Sequence, residues 1–287
     1  MNATEKSAIA DLQRIGASMK MAEGHVVSVS FAKASRAPSR QELLSLRYLR
    51  HLHDIDFYGT PVDNEILKSL SSLTGIESIN LNCLPIDDES FRLLVGFKRL
   101  RQLELMDTDI SDSAKDVLFS FKALRNVRLD GSRLSAMTVE RLIKIRQVET
   151  LWLDGAQATA SCMACIARKA SLSSLSLVGS QVYDPTIAPL SKSGSLRDLA
   201  LLRTSVTRSG IAMLRKLSAL EMLTLNGSRK ITDSAIPALT ELRTLKRLWL
   251  PDTAITPSGL SRLQAELPNV TIWPTAEWLA SRKGHGA

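Results

Sequence analysis

Three cysteines (Cys83, Cys162, Cys165) in 287 residues are too few for a disulfide framework, and a chain of this length can bury a core without one. A reducing compartment fits. No apolar run approaches the ~18 residues of a membrane-spanning helix, and the first thirty residues lack the apolar core, ~7 to 15 residues long, of a signal peptide. The expectation is a soluble chain with no transmembrane segment, retained in the cytoplasm. Catalytic signatures are also missing. The four histidines (His25, His51, His53, His285) form no HExxH pattern, and there is neither a glycine-rich phosphate loop nor a GxSxG elbow. In RHLHDIDFY, Asp54, Asp56 and Tyr58 alternate on one strand face, but a calcium site needs about six to eight oxygens. A polar strand surface accounts for them, and no enzyme activity, cofactor or metal site is expected.

What the chain has is a repeat. An LxxLxL pattern starts at Leu52, Ile76, Leu100, Leu124, Val148, Leu172, Leu196 and Leu220, seven successive intervals of 24 residues; one of 25 reaches Leu245 and one of 26 reaches back to Val26. With the first leucine as position 1, positions 1, 4 and 6 are apolar, which predicts a short strand. Position 8 is often glycine (Gly59, Gly131, Gly155, Gly179, Gly227), as suits a strand exit. Position 9 is usually Ser or Thr (Thr60, Thr108, Ser132, Thr204, Ser228), predicting a ladder of hydroxyls between neighbouring repeats. An aliphatic residue follows at position 11 (Ile86, Ile110, Val206, Ile255), then Ser, Thr or Asp as helix N-caps. Asp184-Pro185 and Thr256-Pro257 put proline straight after the cap, where its missing N–H costs nothing. Apolar residues near positions 16, 19 and 22, such as Phe91, Leu94 and Phe97, mark the inward face of a short helix.

On these residues the chain resembles the leucine-rich repeat family, specifically bacterial 24-residue repeats with a T-x-I-[ST]-D turn, over residues 26–272. The resemblance implies an α/β fold, a leucine-rich repeat solenoid of about ten repeats: a horseshoe with a concave parallel β-sheet and convex short helices. It departs from the family at position 9, where Ser or Thr replaces the usual asparagine or cysteine, and Leu84 and Ala156 carry no hydroxyl at all. One repeat buries too little apolar surface to offset its own ordering, so the repeats must stack and the ends must be covered. Residues 1–25 are expected to form an N-terminal capping helix, with Ile9, Leu12, Ile15 and Met19 along one side of residues 4–22; a partner-binding helix is the rival reading. LPNVTI (267–272) reads as a last short strand, and the tail 273–287 supplies Trp273 and Trp278 to that end.

The excess of 37 basic over 29 acidic residues gives a net charge of +8, but it lies off the strands. At positions 3, 5 and 7 of the nine repeats from Leu52 to Leu245 stand six acids (Asp54, Asp56, Glu104, Asp130, Asp154, Asp198) and two bases (Arg128, Arg247). Nucleic acid is therefore not expected on the concave face. Lys98, Lys122, Lys144, Arg168, Lys169, Lys192, Lys216 and Arg243 fall late in the repeats. Helix C-termini favour cations there, and stacking would also line them into a basic edge able to take an acidic polymer or a membrane surface. No aromatic residues interleave for base stacking.

Contrast along the strands points elsewhere. The early repeats present polar groups (Asp56, Asn80, Asn82, Arg128), whereas later ones present Val178, Ala200, Leu202 and Met222, between Trp152 and Trp249 at position 5. Exposed apolar groups rimmed by polar ones mark interaction sites. The expected function is non-enzymatic protein recognition or scaffolding through the concave sheet, with Trp152, Leu202, Met222 and Trp249 as partner-binding residues and Arg128 and Glu104 as polar specifiers. A substrate adaptor like those of ubiquitin ligases is a further alternative; the 25 residues before Val26 are too few for that family's separate adaptor-binding domain.

The stretch CMAC (Cys162–Cys165) has the spacing of redox dithiols and half zinc sites, yet it falls at helix positions 15 and 18 of its repeat, beside Met163 and Ile166. A structural role is expected, in a repeat made irregular by Ala156, Ala158 and Ala160.

Overall fold

The computed structural model describes residues 3–277; Trp278 and the rest of the expected tail lie outside them. The chain divides into two compact units, Met1–Val148 and Glu149–Ala287, so the stretch read from sequence as one repeat domain is described in two parts.

The first unit holds β1 (Ser18–Ala22), β2 (His25–Ser30), β3 (Asp54–Asp56), β4 (Ser78–Asn80), β5 (Gln102–Glu104) and β6 (Asn126–Arg128). From β2 to β6 the strands pair in parallel, each with its sequence neighbour. In each coil the first, fourth and sixth positions point into the core: Leu100, Leu103 and Leu105 are fully buried, as are Phe91, Phe97 and Phe121. Short α and 3-10 helices return the chain behind the strands, because the break after each cap leaves room for only one or two turns.

The N-terminus departs from the expected helix over 4–22. The helix spans Ala3–Arg14, buries Ala8, Ile9 and Leu12, and is tied by Glu5, whose carboxylate lies 3.0 Å from Nδ1 of His25. Gly16, at φ +75°, then turns the chain, and Met19 falls in β1 rather than on a helix. β1 pairs antiparallel with β2 through Glu23 and Gly24, both at positive φ, as a tight hairpin turn requires. The edge of this unit's parallel sheet is therefore covered by a strand as well as approached by a helix.

The second unit holds β7 (Thr150–Asp154), β8 (Ser174–Val178), β9 (Asp198–Leu202), β10 (Met222–Thr224), β11 (Arg247–Trp249) and β12 (Thr271–Trp273), all parallel and in sequence order. The last strand begins inside LPNVTI and runs through Trp273.

N-caps form where position 12 predicts. Asp87, Ser111, Ser135, Thr159, Thr207 and Thr256 each accept a backbone N–H from the first turn of their helix. Asp184 is shifted by one place: Tyr183 is the N-cap and Asp184 opens the helix. Its carboxylate instead reaches the next coil, accepting the N–H (2.8 Å) and hydroxyl (2.6 Å) of Thr207. Asp88 does the same with Ser111 and Asp233 with Thr256, while Asp112 accepts Ser135 N–H and the Thr138 hydroxyl. The inter-coil ladder is thus made chiefly by these aspartates. The expected hydroxyl ladder forms at Thr204 and Ser228, whose oxygens lie 2.9 Å apart; Thr108 and Thr253 instead donate to the carbonyl three residues back in their own turns.

The CMAC helix, Ala160–Ala167, is capped by Thr159. Cys162 is buried and Cys165 half-buried, and neither is in a disulfide. Gln157, fully buried, fills the irregular turn, where its side-chain carbonyl accepts Asp154 N–H at 3.3 Å. Among the described residues no cluster of His, Cys, Asp and Glu is arranged to hold a metal ion.

Candidate functional site

In the second unit, position 5 forms one row across the sheet: Trp152 is in register with Ser176, Ser176 with Ala200, Ala200 with Thr224, and Thr224 with Trp249. The row is large at its ends and small in the middle. Four strand intervals separate the two indoles, about 19 Å of sheet at the usual spacing. The short side chains between them sink below the surface, leaving Ser176 only 5% exposed, while Trp249 stays 38% exposed. The result is a groove of about 390 Å³, with Leu202 and Met222 completing its apolar lining alongside Trp152 and Trp249.

Polar chemistry sits in the lining too. Ser176 Oγ and Asn226 Oδ1 are buried and lack a hydrogen-bond partner, and both residues line this groove. An unpaired buried polar atom costs about 1–3 kcal/mol. On one side Asp198 stands 3.8 Å from Arg247, a half-exposed pair that the surrounding water weakens.

The four apolar residues singled out in the sequence therefore share one groove. Glu104 and Arg128 lie in the first unit, in register on β5 and β6, and are engaged internally. Glu104 accepts from Asn82 (2.6 Å) and Gln102 (2.8 Å). Arg128 donates to Asp130 at 2.9 Å. Burial works against its charged guanidinium, but Asp130, with Glu104 and Asp107 beyond, outweighs that and holds its pKa above the ordinary value. Asn82 also turns its carbonyl to Met106 N–H at 2.7 Å, so this part of the strand face is a closed polar network. Sequence reasoning passed over Ser176 and Asn226. Their signal is a lone small or amide residue in the outward row, legible only once its large neighbours are known.

The fold is that of leucine-rich-repeat solenoids: parallel strands from successive coils, one short helix or turn behind each. No protein-family model matches the chain, and no curated protein does. Solved structures do. One is the leucine-rich-repeat ectodomain of the Arabidopsis receptor kinase HAESA, solved with an N-terminally extended IDA peptide hormone (17% identity, TM-score 0.51, 89% of this chain and 47% of that one). Another is the yeast Rad7–Elc1 complex (16% identity, TM-score 0.51, 97% of this chain and 90% of the matched chain). This chain thus spans about half the length of the receptor ectodomain. At these identities the likeness is one of fold.

Proposed function

We propose that the chain is a non-enzymatic recognition protein that binds a protein partner on the outward strand face of its second unit. The observation that carries this reading is the groove between Trp152 and Trp249, in which apolar walls surround two buried polar atoms that have no partner. Large aromatic anchors in a partly desolvated hollow are what binding hot spots are built from, and pockets with a few convergent polar groups are the usual form of a binding site. The similar receptor ectodomain was solved with a peptide hormone and Rad7 with Elc1, which agrees with a binding role. The test is Trp249→Ser combined with Leu202→Ser. Both side chains are partly exposed, so the variant keeps the wild-type circular dichroism spectrum and loses capture of the partner from native cell extract. Capture equal to wild type by a folded variant rejects the groove.

A second reading has its own support in the first unit. Lys122, Arg141, Lys144 and Arg146 line a hollow of about 400 Å³ with Phe119, over whose ring the Arg141 guanidinium lies at 4.5 Å. Among the described residues, Lys122, Arg141 and Lys144 make no ion pair with a carboxylate. An acidic polymer or anionic membrane surface is the matching ligand. Retention on heparin that falls steeply with salt supports it, and salt-independent passage through the column rejects it.

A further inference from the structure

Beside the apolar groove, and sharing Leu202 and Asn226 with it, opens a second hollow of about 610 Å³ that contains Arg203 and Arg229. These two arginines differ from the bases Arg197, Lys246 and Arg247 of the same unit. Arg197 and Lys246 are both held by Glu221 (2.7 and 2.9 Å) and Arg247 faces Asp198, whereas among the described residues neither Arg203 nor Arg229 pairs with a carboxylate. Asp252 borders the same hollow but forms an ion pair with neither, and the rim keeps a net positive charge. Arg203 is also held in place. Its backbone, at φ +53°, donates to Asn226 carbonyl oxygen at 2.7 Å, and its stem lies across Gly227, where a Cβ would meet Arg203 Cγ at 2.8 Å.

We propose that the groove takes an extended peptide segment whose apolar side chains lie between Trp152 and Trp249 and whose Asp or Glu side chain pairs with Arg203 and Arg229. This rests on the recognition role proposed above and specifies the chemistry of the partner. An extended strand advances ~3.3 Å per residue, so about six residues cover the distance from one indole to the other. Charge complementarity selects the segment: Arg–carboxylate pairs are strong and directional, while a lysine in the same place would meet two cations.

The test uses immobilised nine-residue peptides, amidated at the C-terminus, with Leu and Phe at alternate positions and Glu, Gln or Lys at the flanking position, probed with the full chain. Glu peptides are expected to bind about tenfold more tightly than Gln peptides, the size of one charge-assisted hydrogen bond. Arg203→Glu with Arg229→Glu is expected to reverse the preference towards Lys, and Arg203→Gln with Arg229→Gln to abolish it; both arginines are exposed, so both variants keep the wild-type melting curve. Equal binding of Glu and Gln peptides, or no retention of any peptide, overturns the proposal. Trp249→Ser with Leu202→Ser separates it from the underlying reading: peptide binding with acidic preference that survives this variant means that the apolar groove is not the site.

Discussion

Replacing Gly259 with alanine should destabilise the protein, although alanine in place of glycine normally favours a helix by up to about 1 kcal/mol. Gly259 lies in the first turn of the helix Pro257–Glu266, behind the N-cap Thr256. A Cβ there would sit 2.2 Å from Asp233 Oδ1, 2.7 Å from its Cγ and 3.1 Å from Ile255 Cγ2. Asp233 cannot yield freely, because it accepts both Thr256 N–H (2.8 Å) and the Thr256 hydroxyl (2.6 Å). Swinging the carboxylate away forfeits both bonds. At an exposed position these are worth about 1 kcal/mol each, below the value for buried charged bonds. The net expectation is a loss of about 1–2 kcal/mol, read by urea denaturation followed by circular dichroism. In an Asp233→Ala background only the 3.1 Å approach to Ile255 Cγ2 remains, so the same glycine substitution should be neutral or stabilising by less than about 1 kcal/mol. The two changes then couple by about 2 kcal/mol in a double-mutant cycle. Stabilisation by Gly259→Ala in the wild-type chain, or strict additivity, would refute the reasoning.

Three further predictions concern the first unit and the thiols. Glu42 is hydrogen-bonded by Arg36 at 2.7 and 3.0 Å and by Ser39 N–H; chiefly through Arg36, and against the opposing effect of burial, its pKa is lowered from 4.5 to about 2. A lowered folded-state value means that this contribution is fully present above the ordinary carboxylate range and is lost as pH falls from about 4.5 towards about 2. Glu42→Gln should be less stable at neutral pH and should show a flatter stability profile across that window in acid titrations. Among the cysteines, Cys83 is exposed and Cys162 buried. A thiol reagent such as dithionitrobenzoate should modify Cys83 rapidly in the native protein and Cys162 only on unfolding. Cys162→Ser should leave partner capture unchanged, because Cys162 is buried in the helix Ala160–Ala167; a loss of capture would give the CMAC stretch a functional role.

The repeat, the strands and nearly every cap were legible because they depend on local spacing, and Leu100, Leu103 and Leu105 have the same role in every coil. The hairpin Ser18–Ser30 was not, since SMKMA carries too weak an alternation to separate strand from helix end, and its turn is written only in Glu23-Gly24. The aspartate ladder was half visible: ISD and ITD announced caps, but the second function of Asp112 and Asp233 depends on a residue 23 places further on. The close approach of Gly259 to Asp233 is visible only in the structure, because the two stand 26 residues apart. Trp152, Leu202, Met222 and Trp249 could be chosen from the outward positions alone, while Arg203 lies just past the strand end, where backbone geometry rather than pattern sets its direction.

In the second unit, Arg208 stands where Asp184 stands one coil earlier, and a guanidinium offers no lone pair to the next cap. Asp184 therefore clasps the coil of Thr207, and Asp233 that of Thr256, while the seam between them has no aspartate clasp and is joined by Thr204 with Ser228 and by Arg197 with Glu221. In an array where each coil is supported only by its neighbours, that seam depends on the buried hydroxyl pair, so Ser228→Ala should weaken the link between these two coils. Substituting aspartate for Arg208 would add to that seam the clasp its neighbours have, so that three successive seams would share one kind of link.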